Sequence, residues 1–352
     1  MPDHQSPVLN LNDYDYDLPS SLIAQRPSSM REMSRLLQFN PATNQIQHRS
    51  FKDLVHILEP GDTVVINDSR VIPARIWGKK VKTGRLVEFL WLEETSDGWK
   101  GLLRGKNPVA SEIIFGSGEV VGQVFSKNED GTITLKISSS IETLSFLEKY
   151  GEPPLPPYIH RDPDLILKED KERYQTVFSK SWGSVAAPTA GLHFSPSLMD
   201  EMSHRGIHFV KVTHHVGLGT FQPLKEETLQ KGKLHCEKYE ISQVSAFQIN
   251  QAVSQKRRIL VVGTTTARCL ESSVGLDGKI RSGNGVTDLF IYPPYQFKIV
   301  KNLLTNFHLP KSSLLMLVSA LIGRQKRLSL YQEAIQNQYR FYSYGDAMLI
   351  LI

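Results

Sequence analysis

The sequence predicts an α/β protein in which an α/β domain is interrupted by an inserted small all-β barrel domain. Strands of buried type that end in Gly- and Thr-rich turns alternate with helical periodicity, both near the N-terminus and after residue 183. Between them, residues 71–140 show only short alternating strands separated by Gly-containing turns, which is typical of a barrel. A chain of 352 residues with 40% hydrophobic content can bury the cores of two domains.

The insertion is expected to cover residues 71–150, so that residues 1–70 and 151–352 together form a discontinuous, catalytic α/β domain. The expected barrel strands are residues 86–92, 99–103, 112–115, 120–125 and 132–137, followed by a helix over 141–150. Residues 75–106 carry eight Lys or Arg against four acids, whereas residues 107–150 carry three against six. One face of the barrel is therefore expected to be basic.

Helix caps and buried strands predict the elements of the α/β domain. Ser50 and Asp53 form a capping pair for a short helix that ends near Leu58, and residues 63–66 form a buried, β-branched strand. The pair Ser195 and Pro196 starts a second helix. The other expected features are a cap at Gly206, strands at 207–212, 258–262 and 347–352, and a helix at 243–255.

Two loops rich in Gly, Thr and His flank the helix and strand that follow Ser195. The first, GSVAAPTAGLHF, contains Thr189 and His193, and the second, THHVGLGTFQP, contains His215 and Thr220. Glycines allow the backbone to approach a ligand closely, and the hydroxyls lie beside freed N–H groups. We interpret the pair of loops as the centre of an active site, whereas either loop alone would suit an ordinary turn equally well.

Polar clusters elsewhere are expected to join these loops, because α/β proteins keep their ligands at the carboxyl ends of strands. The clusters are Asn67, Asp68 and Arg70 after the 63–66 strand; His160 and Arg161 at the end of the Pro-rich segment 151–161; Thr264, Thr265 and Arg268 in the loop and helix start after Gly263; Asn306 and His308 within residues 305–317; and Tyr344 and Asp346 near the C-terminus. A Gly–Thr turn at a helix N-terminus suits an anion or a carboxylate.

Five histidines fall in Gly-, Pro- or Thr-rich segments that we expect to be loops: His160, His193, His215, His235 and His308. Histidine titrates near physiological pH, so this pattern favours acid–base catalysis. A metal site is not expected, because no pair has HExxH spacing and no CxxC motif occurs. A GxSxG nucleophile motif, a P-loop and a GxGxxG fingerprint are missing as well.

Charge and composition bear on partners and location. Lys and Arg number 41 against 36 Asp and Glu, a net charge of +5, which is compatible with a polyanionic partner. Arg26, Arg31 and Arg35 crowd a short polar segment that would suit either phosphate pairing or a solvated face. The polar N-terminus and the short apolar run at 314–322 predict a cytoplasmic protein without a membrane partner.

Eight sequence blocks resemble one family over nearly the whole chain: NDSRVIPAR, LPPYIHR, RYQTVF, GSVAAPTAGLHF, HVGLGTFQP, GTTTAR, TNFHLPKSSLLMLVSA and YRFYSYGDAMLI. They are similar to the S-adenosylmethionine:tRNA ribosyltransferase-isomerases of queuosine biosynthesis. The resemblance implies an α/β catalytic domain with an inserted barrel, and a monomer is expected. It implies that the partner is a tRNA carrying 7-aminomethyl-7-deazaguanine in its anticodon. S-adenosylmethionine would be a consumed co-substrate, and no cofactor is expected.

The reaction that the resemblance implies moves and isomerises the ribosyl part of S-adenosylmethionine onto the aminomethyl group, while adenine and methionine leave. The sulfonium acidifies a proton on the neighbouring ribose carbon, so a base must reach that proton. An acid must protonate the departing adenine, and polar groups must hold the diol.

The expected roles divide the site by these chemical tasks. His193 and His215 are the acid and base candidates. The binding candidates are Thr189 and Thr220 for the ribose hydroxyls; Thr264, Thr265 and Arg268 for the methionine carboxylate; Asn67, Asp68 and Arg70 for the substrate base or S-adenosylmethionine; and Asp346 for an amino group. The family usually has Leu where this chain has His214, which is therefore not expected to be catalytic.

Two other functions fit parts of the sequence. The chain could be a non-catalytic RNA-binding module that uses the barrel, although the barrel lacks a dense aromatic strip with interleaved Lys and Arg. It could also be an unrelated metal-dependent hydrolase, which the missing ligand spacing disfavours. Release of adenine from S-adenosylmethionine distinguishes all three.

Overall fold

A computed structural model describes residues 9–105, 108–161, 168–217, 219, 224 and 226–352. Its strands are β1 (Arg35–Asn40), β2 (Gln45–Ser50), β3 (Thr63–Asn67), β4 (Ser69–Val71), β5 (Arg75–Lys80), β6 (Leu86–Thr95), β7 (Gly98–Leu103), β8 (Glu112–Phe115), β9 (Val120–Lys127), β10 (Ile133–Ser139), β11 (Ser181–Ser184), β12 (His208–His214), β13 (Lys233–Ile241), β14 (Ile259–Val262), β15 (Gly283–Leu289), β16 (Asn302–Asn306) and β17 (Ala347–Ile350). Its α-helices are α1 (Leu54–Ile57), α2 (Thr143–Tyr150), α3 (Lys168–Arg173), α4 (Pro196–His204), α5 (Glu226–Lys231), α6 (Gln243–Ser254), α7 (Thr264–Ser273), α8 (Ser313–Ile322) and α9 (Arg324–Gln336).

A nine-stranded mixed sheet is the largest sheet of the described chain, with the strand order β15-β13-β12-β3-β14-β16-β17-β1-β2. Its centre is parallel, because β12 and β14 both pair in parallel with β3, and β16 pairs in parallel with β14. Every residue of β3 is buried, with Val65 packed on one face of the sheet and Val64 and Ile66 on the other. The carboxyl ends of these four strands therefore meet at one edge of the sheet.

The inserted barrel is closed and antiparallel, with strand order β10-β7-β6-β5-β8-β9. Trp99, Phe89 and Phe115 fill its core, and helix α2 covers one end with Phe146, whose ring lies 5.7 Å from that of Trp99. An α/β domain with an inserted β-barrel is thereby confirmed. The exact boundaries at residues 71 and 150 stay a prediction.

Strand β5 was not among the expected barrel strands, yet it completes the barrel by pairing with β6 and β8. Its sequence, RIWGKK, contains few apolar side chains, so the alternation that indicates a strand is weak. Gly78 is required here, because a Cβ at this position would lie 2.6 Å from the side chains of Ile113 and Phe115. Any residue with a side chain at position 78 would therefore collide with these two side chains.

The chain leaves the barrel beside the point where it enters. Gly151 follows α2 and approaches the entering segment so closely that a Cβ would lie 1.8 Å from the Pro73 carbonyl oxygen. Arg75 and Glu152 then exchange two backbone hydrogen bonds, of 3.1 and 2.9 Å. This pairing of entry and exit segments is how one domain can interrupt another without separating the two halves of the outer domain.

Two expectations about the site's elements need correction. Helix α7 begins at Thr264, directly after Gly263 at φ +88°, so the threonines form the first helical turn rather than a loop. Strand β13 begins at Lys233 rather than near Tyr239, so His235 lies in a strand. In both cases tertiary pairing overrides a local pattern of small or polar residues.

Candidate active site

A cleft with an empty volume of about 550 Å³ opens at the carboxyl edge of the parallel strands. We call it the threonine cleft, because its polar lining includes Thr189, Thr264, Thr265, Thr305, Asn306 and Ser343. Tyr158 and Tyr342 add aromatic walls, and their ring centroids lie 4.7 Å apart.

Helix α7 points its N-terminus at this cleft. Gly263 precedes the helix, and no side chain caps the first turn. The first-turn N–H groups of a helix lack intrahelical partners and carry partial positive charge, which favours a bound carboxylate. Thr264 and Thr265 are buried residues that line the cleft at this end, so their hydroxyls accompany the backbone donors.

A chain of hydrogen bonds runs from the interior to the cleft wall. Asn306 donates from Nδ2 to His193 Nε2 over 3.1 Å, and its Oδ1 accepts from Thr189 Oγ1 over 2.8 Å. Because His193 Nε2 acts as an acceptor, the ring proton lies on Nδ1, which donates to Ser34 Oγ at 2.7 Å. His193 thus orients the Asn306 amide, which in turn orients Thr189 in the cleft wall.

His193 is neutral in this setting. Burial lowers its pKa to about 3, with the charges of Arg340 and Arg31 acting in the same direction. The ring stacks on Phe51 at 5.0 Å between centroids, which fixes its plane.

His308 also lines the threonine cleft and is also kept neutral, since burial lowers its pKa to about 3. Its Nε2 pairs with Thr305 Oγ1 at 2.7 Å. Its backbone N–H donates to the Tyr331 hydroxyl, and its carbonyl accepts from the Tyr16 hydroxyl. These bonds orient the ring and Thr305 together.

His215 is half-buried and directly precedes Val216, a residue of the cleft wall. Its ring lies against Gly183, where a Cβ would approach Nδ1 and Cε1 to 2.5 Å. Burial and then the neighbouring His214 lower its pKa. The Nδ1 atom is buried and has no hydrogen-bond partner among the described residues.

Four of the expected binding residues hold the protein together instead of facing the cleft. Asn67 clamps β12 by bonding both the N–H and the carbonyl of His214, at 2.9 Å each. Asp68 accepts from Thr213 Oγ1 at 2.6 Å. Arg268 pairs with Glu237 at 2.5 Å, inside a buried network with His214. The carboxylate of Asp346 accepts backbone N–H groups from Arg35 and Arg340.

The remaining expected residues lie outside the cleft lining. Arg161 forms a two-point ion pair with Asp170, which also accepts from the Tyr344 hydroxyl at 2.9 Å. Arg70 is exposed and covers the Trp182 ring at 4.1 Å. His160 and His235 are exposed. Thr220 lies outside the described residues.

Sequence reasoning missed Ser34, Glu237 and Trp182. Ser34 lies 159 residues before its partner His193, and Glu237 belongs to a strand of mostly exposed polar residues. No local pattern distinguishes either residue, because each acquires its role only through a distant partner. Asp170 was missed for the same reason.

Among the described residues, no three His, Cys, Asp or Glu side chains lie together in an arrangement that could hold a metal ion. Within the same residues, no helix is long and apolar enough to cross a membrane.

Comparison with known proteins gives consistent matches. A family model described as queuosine biosynthesis protein matches residues 11–350. Proteins named S-adenosylmethionine:tRNA ribosyltransferase-isomerase from Desulforamulus reducens and Symbiobacterium thermophilum are 48% and 46% identical over 346 residues, which is 97% of this chain and 100% of each relative. One from Clostridioides difficile is 44% identical over 345 residues, with the same coverage.

A solved structure also matches. The crystal structure of S-adenosylmethionine tRNA ribosyltransferase from Thermotoga maritima is 35% identical, with a TM-score of 0.55. The match covers 96% of this chain and 100% of that one.

Proposed function

The chain belongs to the queuosine biosynthesis protein family, and from that premise we propose that the threonine cleft carries out the family's ribosyl transfer. The activity is that of an S-adenosylmethionine:tRNA ribosyltransferase-isomerase. Its substrates are S-adenosylmethionine and tRNA. The observation that carries the assignment to this cleft is the uncapped N-terminus of α7 among threonine hydroxyls and the Asn306 amide.

The reaction transfers and isomerises the ribosyl moiety of S-adenosylmethionine onto the aminomethyl group of 7-aminomethyl-7-deazaguanine at the tRNA wobble position. Epoxyqueuosine-tRNA forms, and adenine and methionine are released. S-adenosylmethionine is consumed as a co-substrate, and the proposal includes no other cofactor and no metal. The protein must therefore supply acid–base groups and charge stabilisation from its own side chains.

The methionine carboxylate binds at the N-terminus of α7. Backbone N–H groups and the helix dipole favour an anion there, and Thr264 and Thr265 are the nearest hydroxyls. Arg268 would act indirectly, since its Nη1 donates to Glu237 and its Nε to the Leu289 carbonyl oxygen, while its buried Nη2 has no partner among the described residues. This end of the cleft anchors one end of S-adenosylmethionine.

The ribose lies against the part of the cleft wall where Thr189 and Asn306 are linked at 2.8 Å. Each ribose hydroxyl can both donate and accept, so it can replace or extend this bond. His193 acts through Asn306, because the histidine nitrogen that faces the cleft side already accepts the amide proton. It is therefore a positioning residue in this proposal.

His215 is the proposed base. Its lowered pKa keeps the ring neutral near pH 7, so it can accept a proton, and its buried Nδ1 has no partner in the described chain. The proton that it takes is the acidified one on the ribose carbon next to the sulfonium. Gly183 permits the ring's position, since any side chain there would collide with it.

The tRNA of the proposal carries 7-aminomethyl-7-deazaguanine in its anticodon. We also propose that the protein works as a monomer in the cytoplasm and has no membrane partner. The net charge of +5 supports association with a polyanion.

The test mixes the purified protein with S-adenosylmethionine and tRNA, without added metal, and measures released adenine by chromatography. Adenine should appear with tRNA that carries the aminomethyl base and not with tRNA that lacks it, and EDTA should have no effect. Binding of the tRNA without adenine release would favour the RNA-binding alternative. Loss of activity in EDTA would favour a metal-dependent enzyme.

A further inference from the structure

A second pocket, with an empty volume of about 240 Å³, lies next to the threonine cleft. We call it the arginine pocket, because Arg31 and Arg173 line it together with Ser28 and His193. Ser343 lines both the arginine pocket and the threonine cleft, so the two are neighbours. The proposed reaction assigns no task to the arginine pocket.

Both guanidinium groups are held in place by neutral acceptors. Arg31 donates to the carbonyl oxygens of Leu192 and Glu172, at 3.0 Å each. Arg173 donates to the carbonyl oxygens of Ser28 and Ser29, at 2.5 and 3.2 Å. These bonds fix the orientation of the two side chains without cancelling their charges.

Acidic side chains compensate these charges in part: the carboxylates of Glu172 and Glu32 raise the pKa of Arg31, each by less than the charge of Arg173 lowers it. Glu169 lies 3.9 Å from Arg173 and is itself 46% exposed, so the pair is at the limit of an ion pair and is screened by water. The Nε atom of Arg173 is buried and has no hydrogen-bond partner among the described residues. One donor of Arg173 is therefore left without a partner in the described chain.

The positive charges of Arg31 and Arg173 also repel each other. The pKa of Arg31 is lowered, first by its burial and second by the charge of Arg173. An anion between the two side chains would relieve this repulsion and would satisfy the remaining donor. Arginine suits a phosphate in particular, because its planar group presents paired N–H donors.

We propose that the arginine pocket binds a backbone phosphate of the tRNA, next to the nucleotide that enters the threonine cleft. This inference rests on the proposed function, which brings an anticodon nucleotide to the cleft and its flanking phosphates to the neighbouring surface. S-adenosylmethionine offers no phosphate, and its carboxylate is already placed at α7. The pocket thus fixes the register of the RNA rather than taking part in the chemistry.

The test compares Arg173→Gln and Arg31→Gln with the wild type and with Arg281→Gln as a matched control. Arg281 is 64% exposed and pairs with Asp277, and it lines neither the pocket nor the cleft. Adenine release is measured while the tRNA concentration is varied, at salt concentrations from about 50 to 200 mM. The KM for S-adenosylmethionine is measured in parallel.

Each pocket variant should raise the KM for tRNA by about tenfold, since a charge-assisted bond to phosphate is lost. The slope of log KM against log salt should fall by about 0.7 to 0.9 for each arginine removed. The KM for S-adenosylmethionine should not change, and Arg281→Gln should behave as the wild type. Arg173→Lys, which keeps the charge, should recover the salt slope.

Wild-type KM and salt slope in both folded pocket variants would overturn the inference while leaving the proposed function intact. A change confined to the KM for S-adenosylmethionine would overturn it too. If inorganic phosphate protects the wild type against heat but not the variants, and the tRNA parameters are unchanged, the pocket binds a free anion and the inference is wrong. A wild-type protein that releases no adenine would instead refute the proposed function.

The melting temperature of each variant shows whether it is still folded. The Arg31 side chain links helix α3 to the segment around Leu192 through its bonds to two carbonyl oxygens, so its substitution carries the larger risk. Arg173→Gln alone carries the test if Arg31→Gln is unstable.

Discussion

At His193 the surrounding partners decide what the ring can do. A histidine in a Gly- and Thr-rich loop was expected to be an acid or a base, but the loop sequence could not show that Asn306 lies against its Nε2. That partner is 113 residues away, and Ser34 is 159 residues away. Residue types at the site were predictable from local sequence, whereas protonation states depend on pairings that only the fold creates.

His193→Gln should leave tRNA binding intact and reduce kcat by about 100-fold or more, the scale of a lost acid–base or orienting group. Glutamine cannot accept from Asn306 and donate to Ser34 with the geometry of the ring. Adenine release and a tRNA binding assay provide the two readouts. The control is His204→Gln, since His204 is an exposed residue at the end of α4. Turnover at the wild-type rate in His193→Gln would contradict the positioning role assigned to His193.

Thr189 offers a finer test of the same chain of bonds. Thr189→Val keeps the shape but removes the hydroxyl that donates to Asn306 over 2.8 Å, so the amide is left with an unsatisfied acceptor. We expect kcat to fall by about tenfold, the effect of one lost hydrogen bond of about 1.4 kcal/mol. Thr189→Ser should restore most of the rate. Equal rates in the Val and Ser variants would show that the hydroxyl is not needed.

At the scale of elements, buried strands and capped helices were the most predictable parts. The run of β-branched residues at β3 and the Ser50–Asp53 capping box are both present in the structure. Strand β5 and the start of β13 were missed, because their polar residues gain strand structure from neighbouring strands rather than from their own pattern.

Gly183→Ala tests how strand β11 supports His215. Gly183 has φ +149°, and a Cβ there would lie 2.5 Å from the His215 ring, so the ring must move. Adenine release should fall by about tenfold or more, while the melting temperature falls about as far as in a glycine variant that carries the same backbone strain without the contact. Gly283→Ala is the matched control, because it has φ +124° but no atom within 4 Å. Equal activity in both variants would remove His215 from the proposed mechanism.

At the scale of the whole molecule, the change of hydrophobic period at residue 71 and its return after 151 indicated the inserted barrel. Closure of the barrel could not be read from the sequence, since it depends on β10 pairing with β7 at the register Leu135 to Trp99. The threonine cleft could not be read from the sequence either, since it too depends on how the strands pair. Much of its wall is assembled from the segments that follow β11, β12, β14 and β16, which only the sheet order brings together.

Buried neutral histidines should make the whole fold sensitive to acid. His193 and His308 have folded-state pKa values of about 3, below the unfolded value near 6.5. The unfolded chain therefore binds more protons below pH 6.5, and stability that is complete above that pH is lost as the pH falls toward 3. Between pH 6 and 5 the free energy of unfolding should fall by about 1.4 kcal/mol for each of the two.

Urea denaturation at several pH values measures this slope. Over the same interval, the free energy of unfolding of His193→Gln should depend less on pH than that of the wild type, by the equivalent of about one bound proton. A slope that is identical in the two proteins would mean that His193 is not held neutral by the fold.

The most direct test of the central claim is the crystal structure of the protein grown with S-adenosylmethionine. The account predicts that the ligand occupies the threonine cleft, with its carboxylate at the N-terminus of α7 beside Thr264 and its ribose against Thr189 and Asn306. Density for S-adenosylmethionine at any other place, with the threonine cleft empty, would contradict it.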